Sequence, residues 1–447
     1  MCDTIVALGN TTKDGSVLFA KNSDRHPNEP HLMIRIPRRK NSLNKEQLTT
    51  TYIKIPQVAE TYEVLLLKPS WIWGCEMGCN EFGLNIGNEG VFTKEKYSKV
   101  GLGGMDMARI ALERCQTSEE AVAMITDFLC SYGQGGNHEF EKDLIYHNSY
   151  LIADKQSAWV LETAGQYWVA KKVSDFYCIS NGLTIEDDFD KAHPDVIKHA
   201  IDKGWCRNAL EFNFRKCYSD QLGTYLTEAS KRRNYCRSIL DSEKGNITVD
   251  TIKRILRAHD AKIEGKQFSH SSRKSICMHA GGLIDNHHTT GSYIASLQEK
   301  SCTYWVTGAS TPCVSIYKPV WLVNGAPLFS EQDKAAAIEY WRVRENVHRL
   351  IIAEMVDMNW YFEERDKLEV DFQKLLEKCD VKAASEEKLG LISQEIFQSE
   401  AKFMDRVLKH AEISGKRARL NGNWYFNYYW KEQNRNLKKV ITTSDRL

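Results

Sequence analysis

The hydrophobic pattern changes character along this chain: short β-branched runs fill its first part, and helical spacing takes over beyond about residue 335. Thr4–Leu8 and Val17–Ala20 read as strands, and Gly9-Asn10-Thr11-Thr12-Lys13-Asp14-Gly15 between them is turn chemistry, which predicts an opening antiparallel hairpin. Tyr52–Ile55, Tyr62–Leu67 and Leu84–Asn88 continue the strand series. Met105–Cys115 reads as a helix, and Thr117-Ser118-Glu119-Glu120 as a capping box that opens a second one running to about Leu129. Tyr150–Ala153, Ala158–Thr163, Tyr167–Lys171 and Phe176–Ser180 are split by short turns such as Asp154-Lys155-Gln156-Ser157, the pattern of an antiparallel meander. Strand blocks alternating with paired helices predict a layered α+β domain.

Ala335–Met358, Tyr361–Cys379, Glu386–Glu412 and Trp424–Trp430 carry Glu, Lys, Leu and aromatics at helical spacing with almost no strand signal. The expected organisation is therefore a first domain over residues 2–325 and a helical C-terminal extension over 326–447. No stretch rich in Pro, Gly or Ser precedes the extension, so it is expected to pack on the first domain or to form a subunit contact, which leaves a homo-oligomer open. Its Trp and Tyr stripe reads as core.

The candidate chemistry begins at the second residue. In Met1-Cys2-Asp3-Thr4, loss of the initiator methionine, expected before a small residue, leaves Cys2 with a thiol and a free α-amino group. A free cysteine titrates near pH ~8.5 and an α-amino group near ~7.7–8.0, so the amine can take the thiol proton without a histidine. With the hairpin turn near residues 12–13, Cys2 falls opposite about Ser23, at a cross-strand Cβ separation of about 5 Å. Lys21-Asn22-Ser23-Asp24-Arg25 then lies beside the nucleophile, offering a carboxylate for an α-ammonium group, an amide, and two cations that favour a thiolate.

Met1-Cys2-Asp3-Thr4 followed by Phe19-Ala20-Lys21-Asn22-Ser23-Asp24-Arg25 resembles the start of the secernin and dipeptidase family of cysteine N-terminal nucleophile hydrolases. Further matching strings are Trp71-Ile72-Trp73-Gly74, the run Gly78–Glu89, Ile179-Ser180-Asn181-Gly182, Cys277-Met278-His279, Thr290-Gly291-Ser292 and Trp305-Val306-Thr307-Gly308, so the resemblance spans roughly residues 2–320. The family is similar in design to penicillin V acylases and bile salt hydrolases. The resemblance implies a four-layer αββα N-terminal nucleophile hydrolase sandwich, and cysteine-dependent hydrolysis of dipeptides or small N-acyl compounds through a thioester on Cys2. It also implies site residues: Asp24 to position the amine and thiol, Asn88 as a side-chain oxyanion donor, Asn181 as a second amide, and a late arginine at Arg233, with Arg232 as the alternative. Lys21, Asn22 and Arg25 are expected to bind substrate or tune the site. Acylase relatives carry an arginine where this chain has Lys21, so a planar fork is replaced by a point charge. The alternative function is a secernin-like regulatory or trafficking scaffold with little or no hydrolase activity.

Composition narrows the partners. Lys and Arg number 60 against 59 Asp and Glu, a net charge of +1 that gives no electrostatic footprint for nucleic acid and no polybasic membrane anchor. No charged segment followed by an apolar core opens the chain, and no apolar run approaches ~18 residues, so no membrane association is expected. Thirteen cysteines without framework spacing suit a reducing cytoplasm. Cys75 and Cys79 have no second pair at zinc spacing, and the adjacent His287 and His288 cannot both face one metal from a regular strand, so no metal and no organic cofactor are expected. Gly133-Gln134-Gly135-Gly136 lacks the lysine and hydroxyl of a phosphate loop. A conventional Cys–His couple of Cys277 and His279 would leave the terminal motif unexplained.

Overall fold

The computed structural model describes residues 1–41, 47–283 and 286–443; the rest of the expected spans 2–325 and 326–447 lies outside the described residues. In chain order the strands begin β1 (Cys2–Ala7), β2 (Val17–Arg25), β3 (His31–Ile36), β4 (Arg39–Lys40), β5 (Gln47–Thr49), β6 (Lys54–Pro56), β7 (Glu60–Thr61), β8 (Val64–Pro69), β9 (Met77–Asn80) and β10 (Asn85–Val91). Helices α1 (Gly104–Arg114) and α2 (Ser118–Tyr132) follow, then β11 (His147–Ala153), β12 (Ala158–Ala164), β13 (Tyr167–Lys172), β14 (Phe176–Ile179) and β15 (Lys191–Ala192). Next come α3 (Val196–Asp202), α4 (Phe214–Tyr218), α5 (Gln221–Leu226), α6 (Ala229–Ser242) and α7 (Val249–Leu256), then β16 (His288–Leu297), β17 (Cys302–Val306) and β18 (Lys318–Val320). Four long helices close the described chain: α8 (Lys334–Ile352), α9 (Met358–Lys378), α10 (Glu386–Ile413) and α11 (Trp424–Thr443).

Two antiparallel sheets result, one in the order β14-β1-β2-β16-β17-β18 and the other β15-β13-β12-β11-β10-β9-β8-β3. Strand alternation then sorts the apolar side chains into three strata. Val6 and Phe19 meet Leu65, Leu67, Leu151 and Val160 between the sheets. Ile5, Ala7, Leu18 and Ala20 face Cys236 and Leu240 of α6 and Ile252 and Ile255 of α7. On the far side, Ile86, Tyr150 and Ile152 face Met107 and Leu112 of α1 and Ile125 and Leu129 of α2. The order is helix, sheet, sheet, helix, the αββα sandwich. Each Val, Leu, Ile, Phe or Met side chain among these, moved from water to this interior, contributes about 1.5–3 kcal/mol before conformational entropy is set against it.

Two expectations change. The stretch Phe176–Ser180 does not extend the meander of β11, β12 and β13; β14 crosses to the other sheet and pairs with β1, Thr4 opposite Ile179. β2 does not stop at Ala20, because pairing with β1 on one side and β16 on the other carries it through the polar residues to Arg25. The capping box forms as read: the Thr117 hydroxyl accepts from the Glu120 N–H at 3.3 Å, and the Glu120 carboxylate accepts from the Thr117 N–H at 3.2 Å. Among the described residues no helix is long and apolar enough to cross a membrane.

The C-terminal helices are tied to the sandwich by buried charge. Lys318 of β18 reaches Glu400 of α10 at 3.4 Å, and Arg344 of α8 donates to the same carboxylate at 2.7 Å. Burial pushes the Lys318 ammonium down to about 8 even with Glu400 opposing it, so this carboxylate is what keeps two cations in the interior. Replacing Glu400 with Ala is expected to cost about 3–5 kcal/mol, because it leaves Lys318 and Arg344 buried and uncompensated. Urea denaturation reads the loss, and an unchanged midpoint would mean water reaches these cations.

Candidate active site

Cys2 pairs with Ser23 and Thr4 with Lys21, the register the hairpin turn requires. Alternation sends Cys2 and Thr4 inward with Lys21, Ser23 and Arg25, and turns Asp3 toward the helices. A charge chain lies beside the thiol. Lys21 stands 3.3 Å from Glu89 and 3.6 Å from Glu76, and Arg25 bridges Glu76 at 3.1 Å and Glu29 at 2.8 Å. Cys2 Sγ is 3.9 Å from Glu76 Oε2. Burial pushes the Cys2 thiol well above its ordinary value; Lys21 works against that, while Glu76 and Glu89 reinforce it. The sulfur is therefore protonated at neutral pH in this arrangement and needs a base. Burial also pushes Glu89 up to about 7, again against Lys21.

Asp24 touches the same point through its backbone and its side chain. Its N–H donates to the Met1 carbonyl at 2.9 Å and lies 3.4 Å from Cys2 Sγ. The Thr289 hydroxyl donates to Asp24 Oδ1 at 2.5 Å, while the buried Oδ2 has no hydrogen-bond partner. Burial moves this carboxyl up to about 6, with the nearby terminal amine opposing.

Asn181, just past β14, accepts from the Cys2 N–H at 2.8 Å and from Arg232 at 2.7 Å, both on Oδ1. Arginine only donates, so the amide orientation is fixed with oxygen toward Cys2. Its Nδ2 is engaged by the Gly90 carbonyl at 2.9 Å. Arg232 is fully buried and also donates to Asp3 at 2.9 Å and to Ser180 at 2.7 Å. Burial disfavours its charge, but Asp3 and Asp24 outweigh that and hold it protonated.

Three expected site residues stand elsewhere. Arg233 does not enter the site: it donates to the Cys178 carbonyl at 3.0 Å and lies over the Tyr177 ring, because one residue along α6 turns the side chain about 100° from the face shared by Ala229, Arg232, Cys236 and Leu240. Asn88 lies on the face of β10 that carries Ile86, toward α1 and α2, and its Nδ2 donates to Asn148 at 3.2 Å. Asn22 faces α7 with Ala20 and donates to the Leu256 and Ile276 carbonyls at 2.9 and 3.0 Å. Asp24 shares the face of Asn22, but at the strand end it reaches the cavity.

That cavity, of about 310 Å³, is lined by Cys2, Asp24 and Asn181, by Arg25 and Glu76, and by the apolar walls of Phe92, Tyr146 and Leu226. Lys21 is fully buried behind it and acts on the thiol by its charge. Sequence reasoning missed Glu76, Asp3 and Thr289. Asp3 was legible from alternation on β1; nothing local marks Glu76 or Thr289.

Residues 1–239 match peptidase family C69. A stretch of 186 residues, 39% of this chain, is 25% identical to the probable dipeptidase B of Streptococcus pyogenes serotype M3; it spans only 35% of that relative. The conjugated bile acid hydrolase of Clostridium perfringens, solved as a C2A mutant, is 16% identical with a TM-score of 0.43, covering 72% of this chain and 92% of that one. Penicillin V acylase from Agrobacterium tumefaciens is 12% identical with a TM-score of 0.41, covering 72% and 86%. With its matched segment running from Met1 through β1, β2, Asn181 and Arg232, the chain belongs to peptidase family C69.

Proposed function

We propose that this chain hydrolyses the amide bond of dipeptides or comparably small N-acyl compounds, with Cys2, exposed by removal of Met1, as nucleophile. The observation that carries the reading is the Cys2 backbone nitrogen, held 2.8 Å from Asn181 Oδ1 at a cavity that also presents the unpartnered Asp24 Oδ2. In the mature chain that nitrogen is an amine. It takes the thiol proton, the sulfur attacks the scissile carbonyl, and the ammonium returns the proton to the leaving amine; water, activated by the same amine, then cleaves the thioester. Asn181 and Asp24 hold the ammonium. Loss of Met1 also releases the Asp24 N–H from the Met1 carbonyl, leaving that donor 3.4 Å from Sγ to stabilise a thiolate. A cavity of 310 Å³ sits at the small end of ligand sites, which favours dipeptide-sized substrates, as does the name of the streptococcal relative.

We assign the chemistry to residues 2–325 and a packed supporting role to 326–447. Thirteen free cysteines support a reducing, cytoplasmic setting.

The test is intact-mass measurement of the purified chain before and after a panel of dipeptides and acyl amides. Loss of Met1 and a transient acyl adduct are expected; a chain that retains Met1 while hydrolysing substrate sinks the proposal. A pH profile adds a second check. Asp24, pushed to about 6 with Met1 in place, must be ionised to hold the ammonium, so kcat/KM is expected to show a second acid limb as pH drops through that value, below the one set by protonation of the amine itself. Asp24→Asn should remove this limb along with most of the rate. A profile that lacks this second limb takes Asp24 out of the role.

A further inference from the structure

Four metal-ligating side chains from three loops meet at one interior point. His259 follows α7, Cys277 and His279 precede β16, and Cys313 lies between β17 and β18; their ligand atoms all fall within 4.8 Å of one another. His279 Nε2 is 3.3 Å from Cys313 Sγ and 3.6 Å from Cys277 Sγ. A tetrahedral zinc with Zn–S of about 2.3 Å and Zn–N of about 2.0–2.1 Å sets its ligand atoms about 3.3–3.8 Å apart. The two short edges already have that length, and the widest needs to close by about 1 Å.

The surroundings fit a closed site. Cys277, His279 and Cys313 are buried, and the His259 side chain is 4% exposed. Glu264, itself largely exposed, lies 3.5 Å from His259 Nδ1, within reach of the carboxylate–histidine pairing that orients an imidazole ligand, and leaves Nε2 for the cluster. That Nε2 has no hydrogen-bond partner. Its neighbour in the cluster is the Cys313 thiol, a weak donor, whereas a metal ion takes the lone pair outright.

We propose that His259, Cys277, His279 and Cys313 bind one zinc ion as a structural site. Two thiolates and two neutral imidazoles balance the charge of a divalent ion, and the set is too soft for calcium or magnesium. Binding converts both thiols to thiolates and releases their two protons. No carboxylate or open position belongs to the ligand set, so the ion braces loops and does no chemistry. Met278, between two of the ligands, donates its N–H to Thr289 Oγ1 at 2.8 Å, and that hydroxyl in turn donates to Asp24. The site stands whether or not Cys2 is the nucleophile. The expectation of no metal came from adjacent pairs; these ligands are scattered over more than fifty residues and match no compact zinc spacing.

Elemental mass spectrometry on full-length protein purified without chelator is expected to find about one zinc per chain. Cys277→Ser and Cys313→Ser should each lose it, and Cys130→Ser, at an exposed cysteine, should keep it. Should the ligand variants fail to fold, cobalt loading of the unsubstituted chain decides: thiolate-to-cobalt charge transfer and intense visible bands of a tetrahedral centre are expected. The proposal is overturned if the unsubstituted chain takes up neither zinc nor cobalt, whether the two sulfurs prove to be free thiols or a disulfide, or if folded ligand variants retain the zinc.

Discussion

Cys2→Ala is expected to lower the rate of amide hydrolysis by about 10⁵–10⁶-fold while leaving the fold intact, since removing a nucleophile disables the whole catalytic unit at once. The fold should survive because the sulfur's contacts, 3.9 Å to Glu76 and 3.4 Å to the Asp24 N–H, are weak hydrogen bonds of a thiol. A second construction separates a terminal nucleophile from an ordinary cysteine. Met1 already extends the β1–β2 ladder, its amine donating to the Asp24 carbonyl at 3.2 Å and its carbonyl accepting from the Asp24 N–H at 2.9 Å. An uncleavable residue at that place is therefore tolerated, keeps the thiol and removes the base. Such a chain should be as inactive as Cys2→Ala. If it hydrolyses at a normal rate, the sulfur draws its base from elsewhere and the amine has no role.

The hairpin was readable because its turn residues and its β-branched flanks agree, and the turn alone fixes Cys2 opposite Ser23. The long helices were readable for the same reason, strong period over many residues. What escaped was direction. Asn88, Asn22 and Arg233 each lie on the expected element but face away from the site, and a single-residue offset decides that on a strand or a helix. The polar half of β2 carries no local strand signal; its charges are tolerated because Glu29, Glu76 and Glu89, from other segments, meet Lys21 and Arg25 in the interior. Likewise nothing in Phe176–Ile179 distinguishes the strand that continues a meander from the one that joins the opposite sheet. Each of these outcomes is set by tertiary packing, and local pattern is silent on it.

Arg232→Met is expected to cost about 3–5 kcal/mol of stability, because it strands the Asp3 carboxylate in the interior, 1% exposed and without the Arg232 Nε–H that both its oxygens share. It should also suppress hydrolysis, for a separate reason. Asn181 Oδ1 is held by Arg232 on one side and meets the Cys2 nitrogen on the other, so losing the guanidinium leaves the amide anchored only through its Nδ2 to the Gly90 carbonyl and loosens its aim at the amine. The two effects are separable by also replacing Asp3 with Asn. That double substitution removes both charges, and a large part of the lost stability should return, read as the denaturation midpoint. Activity should stay low, with kcat reduced more than KM is raised, since the missing contact positions the reacting group and does not bind substrate. Arg232→Lys should rescue little: one ammonium cannot serve Asp3, Ser180, Asn181 and the Thr227 carbonyl together, as the planar fork does. Recovery of full activity in the double variant would reduce Arg232 to a counter-ion for Asp3, and Asn181, anchored through its Nδ2 to the Gly90 carbonyl, would then hold the terminal amine with Asp24 and without the guanidinium.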